Sequence, residues 1–352
     1  MTVVGLVAPG AMGAAVGACL RAAGSEVLWA SQGRSEQTRR RADAAGLRDV
    51  GDLARLCRDV EVLVSICPPH AAVATAEQVA AAGFQGIYLD ANAIAPATAA
   101  RISAGVAPAT YLDGGLIGGP PRLRRAETGD GTGDGVLPRN GEADGRASDA
   151  DAGGHRTDAG AEGRPSDAGA DADSTITTRL VLSGPGDPAH TVAGLVDPRR
   201  GTLAAVVLDG ELTAASALKL AFAAWTKGSS ALLLAVRAYA QAAGVEAALL
   251  DTWQWALPDL EDRVQRTAPG IADKAWRWVA EMQEIAAAFA AAGLPDDLHV
   301  GAAEVYARLA HRHGEAPADV ATVLAELVRE PDAEPRSDEG SRRPASPGPG
   351  AT

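Results

Sequence analysis

The feature that most constrains this chain is a turn eight residues from its start. Val3-Val4-Gly5-Leu6-Val7 is a short apolar run, and Ala8-Pro9-Gly10-Ala11-Met12-Gly13 is a glycine-bearing turn. An alanine-rich stretch from Ala14 to Ala23 follows, closed by Gly24, and Glu26 to Ala30 is apolar again. Strand, tight turn, helix and strand at these lengths make the βαβ unit that cradles a dinucleotide. Gly10 lets a pyrophosphate approach the backbone, and Gly13 lets the new helix pack on the strand. The helix start then offers free N–H groups and a positive dipole end to the phosphates. Cofactor contacts are expected from Ala8, Pro9, Gly10, Ala11, Met12 and Gly13. Ala8 replaces the first glycine of G-x-G-x-x-G, so the position of the turn between two strands carries the reading.

The end of the second strand sets the cofactor. An acid there suits the ribose 2′-hydroxyl of NAD. This chain has Ser31-Gln32-Gly33-Arg34-Ser35, with Arg39, Arg40 and Arg41 beyond. Arg34 and Ser35 suit a 2′-phosphate through charge-assisted hydrogen bonds. NADP is the expected cofactor and NAD the alternative; the arginines also fit a solvated helix face.

The 352 residues, 47% hydrophobic and 22% charged, suffice for one large or two ordinary globular domains. The net charge of −13 is concentrated. Between Ala126 and Ser174 stand twelve Asp/Glu and four Arg, so this segment alone carries −8. No basic stripe for nucleic acid is present. No run of eighteen apolar residues predicts a membrane span. The first strand starts without a basic leader or cleavage site, so no secretion signal is expected and a cytoplasmic location is. Cys19, Cys57 and Cys67 are scattered, and the histidines lack ligand spacing, so free thiols and no metal site are expected.

Residues 1–211 read as a Rossmann-type α/β domain. Val60 to Cys67 is a buried strand ended by Pro68-Pro69, and Gly86 to Asp90 is another. A helix opens at Pro96, and Tyr111-Leu112-Asp113 runs into Gly114-Gly115-Leu116-Ile117-Gly118-Gly119. From about 126 to 177 aromatic residues vanish and aliphatics nearly so, which predicts a disordered acidic insertion. It interrupts a strand–strand connection, because a strand resumes at Arg179. Residues 212–329 read as an all-α domain joined by a long helix from Thr213, a possible N-cap, to Gly244, a stop. A further long helix is expected from Ile271 to Ala292, and residues 330–352 read as a disordered tail. Trp225, Trp253, Trp255, Trp276 and Trp278 concentrate in the helical domain, as core, pocket lining or dimer interface.

Four motifs now stand in order: the Ala8–Gly13 turn, Asp90-Ala91-Asn92-Ala93-Ile94-Ala95-Pro96, Asp113 to Gly119, and Ala217-Leu218-Lys219. Over residues 1–125 and 178–245 the chain resembles the β-hydroxyacid dehydrogenase family, which includes 3-hydroxyisobutyrate and 6-phosphogluconate dehydrogenases. It looks like a branch with a distinct helical domain. The resemblance implies an NAD(P)-dependent oxidoreductase acting on CH–OH groups of a small molecule, dimeric through the helical domain. It implies Lys219 as the catalytic proton donor and acceptor, and Asn92 beside the nicotinamide or the substrate. Cys67, Pro68 and Pro69 would touch the cofactor, while Gly118, Gly119, Lys219 and the position of Ala223 would face the substrate. Only three lysines, Lys219, Lys227 and Lys274, occur among 32 basic residues, and one of them stands at the motif position. A desolvated lysine exchanges a proton near neutral pH, which an arginine does not.

The chain departs from the family where the substrate binds. Ile117 replaces the usual Ser, Ala223 the usual Asn, and Thr213 and Ala215 stand for glycines before the lysine. A less polar substrate follows, with Ser216 and Thr226 as candidate substitutes. Two alternatives stay open: reduction of a C=N bond, and NADP(H) binding without turnover.

Overall fold

The computed structural model describes residues 1–124 and 175–328. The expected tail, and all but the last three residues of the expected insertion, lie outside the described residues.

The first domain opens with β1 (Val3–Leu6), α1 (Ala11–Ala22), β2 (Glu26–Trp29), α2 (Glu36–Ala44), β3 (Arg48–Asp49) and α3 (Leu53–Asp59). It continues with β4 (Val62–Ser65), α4 (Ala72–Ala81), β5 (Ile87–Asp90), α5 (Pro96–Gly105) and β6 (Thr110–Gly118). β7 (Thr178–Ser183), α6 (Gly186–Ala193) and β8 (Leu203–Val207) complete it. One eight-stranded sheet results, ordered β3-β2-β1-β4-β5-β6-β7-β8. Every pairing is parallel except β6 with β7, which is antiparallel, with Asp113 opposite Ser183. The first six strands follow the order of a dinucleotide-binding fold, whose ligand crevice opens at the strand C-termini where the order reverses, between β1 and β4.

Alternation along the strands builds two core layers. Val4, Leu6, Val62, Val64, Leu89 and Leu112 face one side of the sheet. Leu63, Tyr88 and Tyr111 face the other, with Leu56, Phe84 and Ile102. A β4 strand buried at all four positions is the consequence.

The second domain is helical: α7 (Ala214–Ala242), α8 (Glu246–Ala256), α9 (Asp259–Ala291), α10 (Asp297–Leu309) and α11 (Val320–Val328). α7 ends as expected. Gly244, at φ +70, follows the cap; its N–H reaches Gln241 O and the N–H of Val245 reaches Ala240 O. This pair satisfies two orphan carbonyls. The start differs from expectation, because Thr213 makes no side-chain cap bond. Ser183 Oγ accepts the Ala215 N–H at 2.9 Å and Asp113 Oδ2 accepts the Ser216 N–H at 2.6 Å. The sheet itself caps the helix.

A second difference lies in α9, which begins twelve residues before the expected Ile271 and carries Pro269 inside. An internal proline costs a helix about 3 kcal/mol. Val264, Ala268, Ile271 and Ala275, spaced for one helix face, are all buried in the helical core, and their packing outweighs that cost. The strand β8 and helices α3 and α6 go beyond the elements read from the sequence. No described helix is long and apolar enough to cross a membrane.

Candidate active site

The turn after β1 has the shape its glycines imply. A Cβ on Gly13 would stand 2.9 Å from Ala8 O, so only glycine lets α1 start this close to the turn. A Cβ on Gly10 would meet nothing within 4 Å. The space over Gly10 is open at the N-terminus of α1, which is where a pyrophosphate is held by such a helix. The residues present therefore fit a dinucleotide.

Arg34 reaches back across the strand ends, its Nη2 donating to Val7 O at 3.2 Å. Arg39 Nη2 donates to Ser31 O at 3.3 Å. Ser35 caps α2, its hydroxyl accepting the Thr38 N–H at 3.3 Å. Beside them runs an open groove lined by Ser31, Gln32, Gly51, Asp52, Leu53 and Ala54. Arg34 and Arg39 thus reach the strand ends, while Arg40 is exposed on α2 and pairs with Glu36.

Past β4 and β5 the backbone is fixed by Asn92. Its Oδ1 accepts the Cys67 N–H at 2.6 Å, and its Nδ2 donates to Ser65 Oγ at 3.1 Å and Asp90 Oδ1 at 2.6 Å. The buried amide is thereby occupied on both sides, and it ties the Cys67-Pro68-Pro69 turn to the end of β5. Cys67 is a packed thiol near Thr75, and burial pushes its pKa up.

Asp113 joins the sheet to α7. Besides the Ser216 N–H it accepts the Ser216 hydroxyl at Oδ1, 2.6 Å away. Ser183 Oγ donates to Leu212 O at 2.9 Å. Burial pushes the Asp113 carboxyl up to about 6 against the pull of the Ser216 hydrogen bonds. The neighbouring Asp90 is pushed up to about 7, by burial first and then by the charge of Asp113. One turn along, α7 lies so close to β6 that a Cβ on Gly115 would stand 3.0 Å from Lys219 Cβ. Lys219 is thus set over β6 at Gly115. Gly118 has φ +117, and Gly119 O accepts the Thr178 hydroxyl.

One expected substitute is corrected here. Ser216 is fully buried and its hydroxyl is spent on Asp113. Thr226 donates back to Phe222 O at 3.1 Å. Ala223, expected to face substrate, is buried against Ala95 and Leu220.

The charge near Lys219 comes from elsewhere. Glu281 of α9 places Oε1 3.9 Å from Lys219 Nζ and in contact with Lys227 Nζ. The side chains of Lys219 and Lys227 are only 14% and 15% exposed, that of Glu281 10%. Lys227 also lies 5.6 Å over the Trp278 ring. Burial pushes Lys227 down to about 8, against the pull of Glu281. One turn further along α9, Glu284 Oε2 accepts the Ala95 N–H at 2.6 Å and the Thr98 hydroxyl at 3.2 Å. It caps α5 from the other domain. Trp253 and Trp278 belong to the helical core, Trp276 stacks on His313 at 4.6 Å, and Trp225 and Trp255 are exposed. Among the described residues no cluster of three or more His, Cys, Asp or Glu is arranged to hold a metal ion.

Sequence reasoning missed Glu281, Glu284 and any role for Lys227. Lys227 had a signal: it stands eight residues after Lys219, on the same helix face, in a chain with three lysines. The two glutamates, on a separate helix, had none.

The same architecture occurs in solved structures. The 3-hydroxyisobutyrate dehydrogenase of Mycobacterium tuberculosis is 16% identical with TM-score 0.58, over 94% of this chain and 100% of that one. The 3-hydroxyisobutyrate dehydrogenase of Salmonella typhimurium is 17% identical with TM-score 0.56, over 92% and 99%. A conserved hypothetical protein of Sinorhizobium meliloti is 18% identical with TM-score 0.56, over 93% and 96%. No curated protein sequence matches the chain. Residues 240–309, from the end of α7 through α10, match the model of a domain of unknown function, DUF1932. The chain therefore has the fold of the 3-hydroxyisobutyrate dehydrogenases, with a DUF1932 domain in its helical part.

Proposed function

We propose that this chain is an NADP-dependent oxidoreductase that moves a hydride between the nicotinamide and a small hydroxy or carbonyl compound, with Lys219 as proton donor and acceptor. One observation carries it: Lys219 lies against Gly115 at the sheet edge where the Ala8–Gly13 turn, the Cys67–Pro69 turn and the Asn92 loop also open. The cofactor supplies or accepts the hydride. Gly10, Gly13 and the N-terminus of α1 hold its pyrophosphate, with Ala8, Pro9, Ala11 and Met12 shaping the turn. Arg34, Ser35 and Arg39 take the 2′-phosphate, supported by their placement beside the open groove. Asn92 fixes the turn at Cys67, Pro68 and Pro69 along which the nicotinamide half lies. In reduction the Lys219 ammonium gives a proton to the substrate oxygen; in oxidation its neutral amine takes the hydroxyl proton.

Ile117 stands on the Lys219 side of β6 and offers no polar atom. The substrate read from this lining carries its reacting oxygen on a less polar body than a 3-hydroxyacid. Leu218, Phe222, Trp225, Leu232 and Tyr239 are exposed at heptad spacing along α7, which supports a homodimer through the helical domain.

The test is NADPH oxidation against a panel of small ketones and aldehydes. Lys219→Ala abolishes turnover while NADPH binding, followed by its fluorescence, persists; an intact rate in that variant refutes the role of Lys219. Arg34→Ala weakens NADPH by about tenfold or more and NADH little, as expected for one lost charge-assisted contact. Equal losses refute the 2′-phosphate assignment.

A further inference from the structure

The reading above uses Lys219 alone, yet two more charged side chains share its junction. Lys219 and Lys227 lie two turns apart on one face of α7. Between them in sequence stands Ala223, buried in the helical core. They converge on one oxygen, Glu281 Oε1, 3.9 Å from Lys219 Nζ and in contact with Lys227 Nζ. Two ammonium groups thus share one largely buried carboxylate. A lone ion pair between α7 and α9 would need only one of them.

We propose that Lys227 and Glu281 are positioning residues for Lys219: Lys227 takes up the Glu281 carboxylate, and Glu281, so held, anchors the Lys219 ammonium over β6 without pairing with it one to one. This rests on the reading of Lys219 as the proton-transfer group. The consequence follows from charge. Without Lys227, the Glu281 carboxylate has Lys219 as its remaining partner, and an opposite charge at this range favours the charged amine and draws it toward α9. Without Glu281, two ammonium groups face each other with no shared counter-ion, and each gives up its proton more easily. The other groups around Lys227 are Arg277 of α9, and Tyr306 of α10, whose hydroxyl donates to Lys227 O at 2.7 Å. Glu284, a turn away, is engaged by the Ala95 N–H and the Thr98 hydroxyl. The Lys227 ammonium is steadied by the Trp278 face, so Glu281 is gripped from a fixed point.

Three lysines make the test direct. Full-length protein labelled with 13C at lysine Cε gives three signals, assigned by replacing each lysine in turn with arginine. Their pH titrations are read in the wild type and in Lys227→Met, Lys227→Arg and Glu281→Gln. The Lys219 midpoint moves up by about one pH unit in Lys227→Met, as a newly dominant carboxylate partner demands. It returns in Lys227→Arg, which keeps the charge, and moves down in Glu281→Gln, while Lys274 stays put. A Lys219 titration that is the same in Glu281→Gln and the wild type overturns the proposal, as does one blind to the charge at position 227. Glu281→Gln is nearly isosteric, so the question is answered even where Lys227→Met does not fold. The signals need no substrate. Absence of NADPH turnover in the wild type thus refutes the oxidoreductase reading separately from the coupling.

Discussion

Replacing Asp113 with asparagine should make the protein less sensitive to rising pH. Asp113 is fully buried, accepts two hydrogen bonds from Ser216 at 2.6 Å, and is approached by Ser183 Oγ at 3.4 Å. Burial pushes its carboxyl up to about 6 from an ordinary 3.8. The native state thus holds this proton more tightly than the unfolded chain does. Stability from this group is complete below the unfolded value and falls as pH rises through about 6, because the native protein must then bury a charge. At about 1.4 kcal/mol per tenfold change in proton affinity, the loss is about 3 kcal/mol. In Asp113→Asn the side-chain oxygen still accepts the Ser216 N–H, and the amide donates to the Ser216 hydroxyl, which rotates to accept it. The contacts survive and no charge is buried. Asp90 acts in the same direction, since the charge of Asp113 helps to push it up. Urea unfolding at steps from pH 4 to 7.5 measures the difference between variant and wild type, in which other carboxylates cancel. The difference should swing by about 2.4 kcal/mol toward the variant as pH rises across this range. Parallel stability curves would refute the argument. Asp113→Ala shows the same swing on top of a constant loss, because the Ser216 N–H and hydroxyl are left unpaired at about 1–3 kcal/mol each.

Gly10→Ala should fold with an unchanged urea midpoint to within about 1 kcal/mol, because its Cβ meets nothing, yet lose NADPH affinity by tenfold or more in a fluorescence titration. Unchanged affinity would show that no phosphate sits over Gly10. Gly13→Ala, by contrast, should destabilise the protein before any cofactor is added, since the contact at 2.9 Å is with the Ala8 backbone oxygen. Glu284→Ala should cost about 1.5–3 kcal/mol as a charged acceptor is lost, and should speed hydrogen exchange at Ala95 and through the first turn of α5. Exchange there at the wild-type rate would mean that the two domains are not joined through this carboxylate.

The α/β half of the fold was legible because its determinants are local. Gly10 and Gly13 act within one turn, Arg34 and Ser35 follow the second strand directly, and the apolar run at Val62–Ser65 is a β-strand for reasons contained in its own residues. The long α7 helix and its stop at Gly244 were legible for the same reason. Its start was not, because the groups that cap it, Ser183 and Asp113, are 32 and 103 residues from the N–H groups they satisfy. The early start of α9 was hidden by Pro269, a local signal overridden by burial of Val264, Ala268 and Ile271 on one face.

The surroundings of Lys219 were less legible, for a physical reason. Ala223 and Ile117 read as the loss of two polar groups, and polarity was sought nearby on α7, at Ser216 and Thr226. Both of those hydroxyls are bound to the protein itself, one to Asp113 and one to Phe222 O. The polar partner arrives instead from α9 as Glu281. An asparagine at position 223 would have to fit where the Ala223 methyl is buried in the helical core beneath the two lysines. The alanine and the carboxylate therefore belong together: putting Asn at 223 alone should crowd the Lys219–Glu281–Lys227 cluster, not restore a family-like pocket. Ala223→Asn should accordingly displace the Lys219 and Lys227 signals in the lysine spectrum and leave Lys274 in place. If all three stay where they are, the small residue at 223 has no part in bringing the cluster together.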